Sequence, residues 1–152
     1  MKKFELTSEF ITNISGVKLF RIKALVKFGN VEKGELGGYV EKEENLSHNG
    51  DAWVYGNAEV YGNACVCGDA RVYGDAMVYG NADYTTANGF GSEYRTTTFF
   101  KQKDKSIGVR CGCFYGTIDE FRGKVKETHG ESKRAKEYLV LADLMEYHFK
   151  EE

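Results

Sequence analysis

The side chains with the greatest capacity for metal binding are four cysteines, which form two C-x-C pairs, Cys65/Cys67 and Cys111/Cys113. A structural zinc site needs four ligands in tetrahedral geometry, most often from C-x2-C pairs. Side chains alternate along a strand, so each pair here would lie on one face. The favoured interpretation is reduced thiols packed as small apolar groups. Zinc binding by all four cysteines stays an open alternative.

Three histidines are the candidates for general acid–base chemistry. His129 and His148 lie in segments that read as helices, which leaves His48 as the one position where a catalytic base is conceivable. The sequence contains no P-loop, GxGxxG, HExxH or nucleophile-elbow motif. We therefore predict no catalytic residue, no metal ligand and no cofactor.

A period of six residues dominates the centre of the chain, where residues 54–83 read VYGNAE VYGNAC VCGDAR VYGDAM VYGNAD. Each hexad begins with Val and carries Gly third, Asn or Asp fourth and Ala fifth. This pattern resembles the hexapeptide repeats of left-handed parallel β-helices. We therefore predict a mainly β fold class, with a short left-handed parallel β-helix over residues 36–83. The Val and Ala positions should point inward, and the Gly and Asn/Asp positions should form turns.

Stacking of successive coils would place residues 18 apart above one another. The outward positions would then form aromatic and acidic ladders, with Trp53 over Arg71 as a cation–π pair. The ladders have two interpretations: stabilisation of the coils alone, or an interaction surface, because Tyr, Trp and Arg are favoured at interfaces. The candidate interaction surface comprises Trp53, Tyr55, Tyr61, Asp69, Arg71, Tyr73, Asp75 and Tyr79.

Both ends of the repeat are flanked by other patterns. Residues 1–35 alternate apolar and polar side chains around a turn at 13–16, which predicts an N-terminal β-hairpin cap. Residues 84–152 predict a small ββαα domain: a loop over 84–91, strands over 94–101 and 106–114, and two helices. The capping box Thr117–Glu120 should start the first helix at Ile118, and the second should run from about Ser132 to Phe149.

Composition and the distribution of apolar residues indicate where in the cell the protein is expected. Hydrophobic residues make up 41% and charged residues 29% of the chain, and the formal net charge is -2. No apolar run approaches the roughly 20 residues that a membrane span needs. Glu5 and Glu9 interrupt the segment where the apolar core of a signal peptide would lie. We expect a cytoplasmic protein without a membrane partner.

The run LFRIKALVKFGNVEKGELGGYVEKEENLSHNGDAWVYGNAEVYG, together with the C-terminal IGVRCGCFYGTIDEF, resembles a family of small hexapeptide-repeat proteins of bacteriophages and prophages. This resemblance implies a phage-encoded, non-catalytic binding protein in the bacterial cytoplasm. Such a protein would inhibit a host protein or ribonucleoprotein, for instance a CRISPR effector or another defence nuclease, as anti-CRISPR proteins do.

Two alternatives remain open at this point. One is a hexapeptide-class acyltransferase with His48 as base, and the other is a virion structural or scaffold protein. We also expect a homo-oligomer, most simply a homodimer, because a short repeat stack leaves sheet edges that need cover.

Overall fold

Three sheets and two helices form the part of the chain that the structure, a computed structural model, describes: residues 2–91 and 95–150. The first sheet begins with an antiparallel hairpin of β1 (Phe4–Thr12) and β2 (Lys18–Ala24). Gly16 has a φ of 82° in the connecting turn, a backbone conformation that glycine adopts without strain. The hairpin predicted from the alternating pattern is therefore confirmed.

The hairpin continues into strands from the repeat. β3 (Leu36–Val40) pairs antiparallel with β2, and β5 (Glu59–Val60) and β7 (Met77–Val78) follow in parallel, so the sheet order is β1-β2-β3-β5-β7. β4 (Trp53–Val54) and β6 (Arg71–Val72) pair parallel in a second sheet of two strands. Parallel partners such as Trp53 and Arg71 are 18 residues apart.

The predicted fold class, a mainly β protein built on a left-handed parallel β-helix, is wrong. Repeat strands of two residues each are divided between two separate sheets, and none of the sheets in the described ranges is a solenoid. A strand of two residues forms few ladder hydrogen bonds and gains stability from longer neighbours. The hairpin supplies those neighbours, and it draws β3, β5 and β7 into a mixed sheet.

The inward positions of the repeat are correct as predicted, with one exception. The first residue of every strict hexad is completely buried, and four of the five Ala positions are at most 2% exposed; these residues are Val54, Val60, Val66, Val72 and Val78, and Ala58, Ala64, Ala70 and Ala76. The fifth Ala position, Ala82, is exposed and lies in the 3-10 helix Asn81–Asp83, so its predicted inward position is wrong. They pack with Phe4, Ile22, Trp53 and Phe100 in one apolar core. The period of six therefore predicts which side chains are buried, although not the sheet to which they belong.

The C-terminal region differs from the ββαα prediction because it contains four strands. The predicted loop over 84–91 is mostly strand β8 (Tyr84–Phe90), and the predicted strand over 106–114 is divided into β10 (Ile107–Cys111) and β11 (Phe114–Thr117). Gly112, with a φ of 59°, makes the turn between them. With β9 (Arg95–Lys101), the antiparallel order is β11-β10-β9-β8. Tyr94, the predicted first residue of the β9 strand, lies outside the described residues.

Two helices cover this sheet, and both lie where they are predicted. α1 (Ile118–His129) begins after Thr117, whose hydroxyl accepts the backbone N–H of Glu120 at 3.2 Å. α2 (Lys133–Phe149) begins after the cap Ser132. Apolar side chains of both helices and the sheet form a second core, which includes Phe99, Val109, Phe121, Tyr138 and Ala142. Within the described residues, neither helix combines the length and apolar character that crossing a membrane requires.

Candidate functional site

A cleft of about 530 Å³ lies where the two-stranded sheet meets the turn between β10 and β11. Tyr55, Asp69, Arg71 and Arg110 line this cleft, which we call the Tyr–Arg cleft, and its remaining lining residues are Gly29, Asn30, Asp51, Thr96, Gly112 and Cys113. Three residues of the predicted interaction surface, Tyr55, Asp69 and Arg71, therefore come together here. The cleft combines cations, carboxylates and an aromatic ring.

Tilted contacts between tyrosine rings support the aromatic wall of the cleft. The ring centroids of Tyr55 and Tyr73 are 5.1 Å apart, and those of Tyr73 and Tyr115 are 5.0 Å apart. The Tyr115 hydroxyl donates a hydrogen bond to Oε1 of Gln102 at 2.8 Å. Burial raises the pKa of Tyr55 and of Tyr115, so both hydroxyls keep their protons at neutral pH. The rings are held in place before any ligand arrives, which limits the entropy lost on binding.

Two arginines provide the cationic side of the cleft. Nη2 of Arg71 donates to the carbonyl of Gly112 at 3.2 Å, which ties β6 to the β10–β11 turn. The guanidinium carbon of Arg110 lies 4.6 Å from the centroid of the Tyr73 ring. Nη1 of Arg110 reaches the Cys113 carbonyl only at 3.5 Å, and its buried Nε has no hydrogen-bond acceptor among the described residues. Because this Nε is closed to solvent, Arg110 meets a ligand in the cleft through its terminal guanidinium nitrogens.

Asp51 and Asp69 provide the anionic side, close to the buried Lys3. Nζ of Lys3 donates to the carbonyls of Ala52 at 2.7 Å and Gly50 at 3.3 Å. Burial lowers the pKa of Lys3 to about 8, and the two carboxylates partly oppose this shift. The arginines contact the β10–β11 turn, whereas the aspartates lie near Lys3 and Gly29. The Tyr–Arg cleft therefore has charge of opposite sign at different parts of its rim.

Of the other residues of the predicted surface, Tyr73 contacts Tyr55 and Arg110, and the remaining four lie elsewhere. Trp53 is completely buried and packs edge-on against Phe28 at 5.2 Å, so its predicted outward position is wrong. Tyr61 is only 7% exposed, whereas Tyr79, stacked on it at 5.9 Å, is 59% exposed. The exposed Asp75 donates its backbone N–H to the Tyr115 hydroxyl at 3.4 Å. Trp53 and Tyr61 are buried because β1, β2 and the loop after them cover these positions of the repeat.

Sequence reasoning missed Arg110, the most distinctive group of the cleft. Arg110 is 39 positions beyond Arg71 in the chain, and no local motif marks it. It reaches the cleft because β10 pairs with β9, and the hydroxyl of Thr98 in β9 accepts the backbone N–H of Arg71 at 3.0 Å. The only available signal was a single cation in an otherwise apolar or small stretch, IGVRCGC.

His48 occupies a structural position. Its ring stacks on Phe4 at 4.4 Å, and its Nδ1 accepts the backbone N–H of Lys3 at 3.0 Å. This contact places the proton on Nε2, which faces Oε1 of Glu43 at 3.2 Å. A general base must offer a free lone pair to its substrate, and here both ring nitrogens already have partners.

The cysteines do not converge. Sγ of Cys67 lies 3.6 Å from the hydroxyl of Tyr84, and Sγ of Cys111 accepts the hydroxyl of Thr97 at 3.2 Å. Burial raises the pKa of the Cys65 thiol, which favours the protonated form. Among the residues for which the structure gives a placement, no three His, Cys, Asp or Glu side chains are grouped as a metal site would require.

No protein-family model matches the chain, and no curated protein is similar enough to it to count as a relative. The function is therefore argued from the side chains of the Tyr–Arg cleft.

Proposed function

We propose that the chain is a non-catalytic binding protein that recognises a macromolecular partner through the Tyr–Arg cleft and inhibits it by covering a functional surface. The resemblance to phage-encoded repeat proteins makes a bacterial CRISPR effector or another defence nuclease the first partner to test.

The observation that carries this proposal is the position of Arg110. Its guanidinium rests on the Tyr73 ring and borders the cleft, while its Nε has no acceptor within the described part of the chain. Arg and Tyr are the residue types that most often dominate binding energy when a partner excludes water from them. Tyr55 and Arg71 border the same cleft, so a partner entering it would contact all three side chains.

The geometry of His48 favours binding over acyl transfer. The acyltransferase alternative depends on this imidazole as base, and its two nitrogens are used by Lys3 and Glu43. The Tyr55 and Tyr73 rings, which contact each other, in contrast suit a surface that holds a partner without transforming it.

The proposal is tested by comparing capture of a partner by matched variants. The immobilised wild-type chain is exposed to purified CRISPR effectors and to bacterial lysate, and bound proteins are quantified. Arg110→Ala and the double variant Tyr55→Ala/Tyr73→Ala should each weaken capture by about 2 kcal/mol or more, close to thirtyfold in affinity. Arg134→Ala and Tyr147→Ala serve as controls, because both side chains are exposed on α2, away from the cleft.

Thermal unfolding of each variant separates loss of binding from loss of folding. The proposal is wrong if folded cleft variants capture the same partner as tightly as the wild type. Normal binding by a folded cleft variant would indicate that another surface, such as the exposed side of α2, contacts the partner.

A further inference from the structure

We infer that the group bound in the Tyr–Arg cleft is a nucleotide, with its phosphate on the arginines and its planar base beside Tyr55. This inference rests on the proposed function, because it assigns a ligand class to the same cleft. It adds a ligand class that the binding proposal by itself does not require.

The phosphate is assigned to the arginine side on hydrogen-bonding grounds. A guanidinium offers up to five N–H donors in a plane, and phosphate oxygens accept them in pairs. Arg110 has a buried Nε without an acceptor among the described residues and only a 3.5 Å contact from Nη1. The Nε itself is closed to solvent, so a phosphate in the cleft would contact the terminal nitrogens of Arg110, and Arg71, held beside the same turn by Gly112, would share the charge.

The base is assigned to the aromatic wall. Tyr55 lines the cleft, and its ring contacts the Tyr73 ring at an interplanar angle of 37°, which restricts its orientation. Stacking of a base on an aromatic side chain tolerates any base, because every base has a π-face. A tyrosine hydroxyl is protonated at neutral pH, and burial raises the pKa of Tyr55 further, so Tyr55 brings no negative charge near the phosphate.

The aspartates fix the direction of the ligand. Asp51 and Asp69 repel a phosphate from their side of the cleft, and their carboxylates accept hydrogen bonds from ribose hydroxyls or base N–H groups. Carboxylates commonly bind ribose in this manner in nucleotide sites. A ligand with an anion at one end and neutral donors at the other matches this arrangement, whereas a simple anion does not.

The volume of the cleft agrees with a ligand of this size. At about 530 Å³, the cleft falls in the range of 300–1,000 Å³ that is usual for small-molecule sites. Inorganic phosphate would leave most of this space, including the Tyr55 wall, without contacts. One nucleotide, free or at an accessible point of a nucleic-acid strand, would use both the cationic and the aromatic sides.

Calorimetric titration of the full chain with AMP, adenosine and inorganic phosphate tests the inference. AMP should bind at least tenfold more tightly than either fragment, because only AMP contacts both sides of the cleft. Arg110→Ala should weaken AMP binding at least tenfold and leave adenosine binding unchanged, whereas Arg134→Ala should change neither. Arg110→Gln is the second variant, since it removes the charge but keeps a side-chain donor. Thermal unfolding shows which variants fold.

A short oligodeoxyadenylate distinguishes the two sources of the nucleotide. Binding tighter than that of AMP identifies a strand as the source, and equal binding identifies the free nucleotide; both support the inference if Arg110→Ala weakens them. The inference is wrong if phosphate binds as tightly as AMP. It is also wrong if AMP does not bind at millimolar concentration, or if Arg110→Ala leaves AMP binding unchanged. If AMP does not bind while the cleft variants still abolish capture of a partner, the assignment of a nucleotide is wrong and the proposed binding function is retained. Normal capture by the folded cleft variants would refute the binding function directly.

Discussion

Replacing Lys3 with Met should remove a distinctive pH dependence from the stability of the protein. Lys3 is 3% exposed, donates to the carbonyl of Ala52 at 2.7 Å, and lies 4.6 Å from the centroid of the Phe28 ring. Burial lowers its pKa from 10.5 to about 8 in the folded chain. Below pH 8 the amine is charged in both the folded and the unfolded states, and folding bears the full cost of burying the charge.

Between about pH 8 and 10.5, the folded chain has lost this proton while the unfolded chain still binds it. The free energy of unfolding therefore rises with pH in this window, because the unfolded state binds more protons. Each pKa unit corresponds to about 1.36 kcal/mol, so a difference of about 2.5 units sets a ceiling of roughly 3.4 kcal/mol. Structural relaxation and water penetration reduce such penalties, and we expect a rise of about 2 kcal/mol.

Urea unfolding of the wild type and Lys3→Met, repeated from pH 7 to pH 10, measures this rise. Cysteine and tyrosine titrations affect both chains alike, so the difference between their unfolding free energies isolates Lys3. That difference should change by about 2 kcal/mol in favour of the wild type as pH rises. Lys27→Met, which removes an exposed amine 3.6 Å from Glu32, should give a nearly constant difference. A difference for Lys3→Met that stays within about 0.5 kcal/mol across this range would refute the reasoning.

Four further predictions concern folding, the cap, His48 and assembly. Val66→Asp should unfold the protein, because it buries an unpaired charge at a position that is 0% exposed, and a circular-dichroism melt unchanged from that of the wild type would contradict this. Thr117→Ala should lower the free energy of unfolding by about 1 kcal/mol in urea titrations, because the backbone N–H of Glu120 loses its acceptor. The control Thr128→Ala, inside the same helix, should lower the free energy of unfolding by less. His48→Ala should leave capture of a partner intact in the folded chain, and loss of function there would restore the acyltransferase alternative. Light scattering at micromolar concentration should give twice the chain mass of 17.1 kDa if the predicted homodimer forms, and the monomer mass would reject it.

The sequence by itself determined the features that depend on neighbouring residues. The period of six predicted the buried Val positions and the buried Ala positions as far as Ala76, because the first four strict hexads share a turn with glycine at positive φ. The last hexad lacks this turn at Gly80, and its Ala82 is exposed. The capping box Thr117–Glu120 predicted the start of the first helix through side-chain contacts that act over three residues. The turn before Val17 predicted the first hairpin for the same local reason.

Only the tertiary structure decided which strands share a sheet and which side chains form the cleft. Strands of two residues carry too little pairing information to choose a sheet, so the hairpin determined the arrangement that the repeat alone predicted wrongly. Trp53 was predicted to face outward, yet packing against Phe28 buries it. Arg110 reaches Tyr73 only because β10 joins β9 far along the chain. Contacts of this kind depend on long-range packing, whose partners no local sequence pattern specifies.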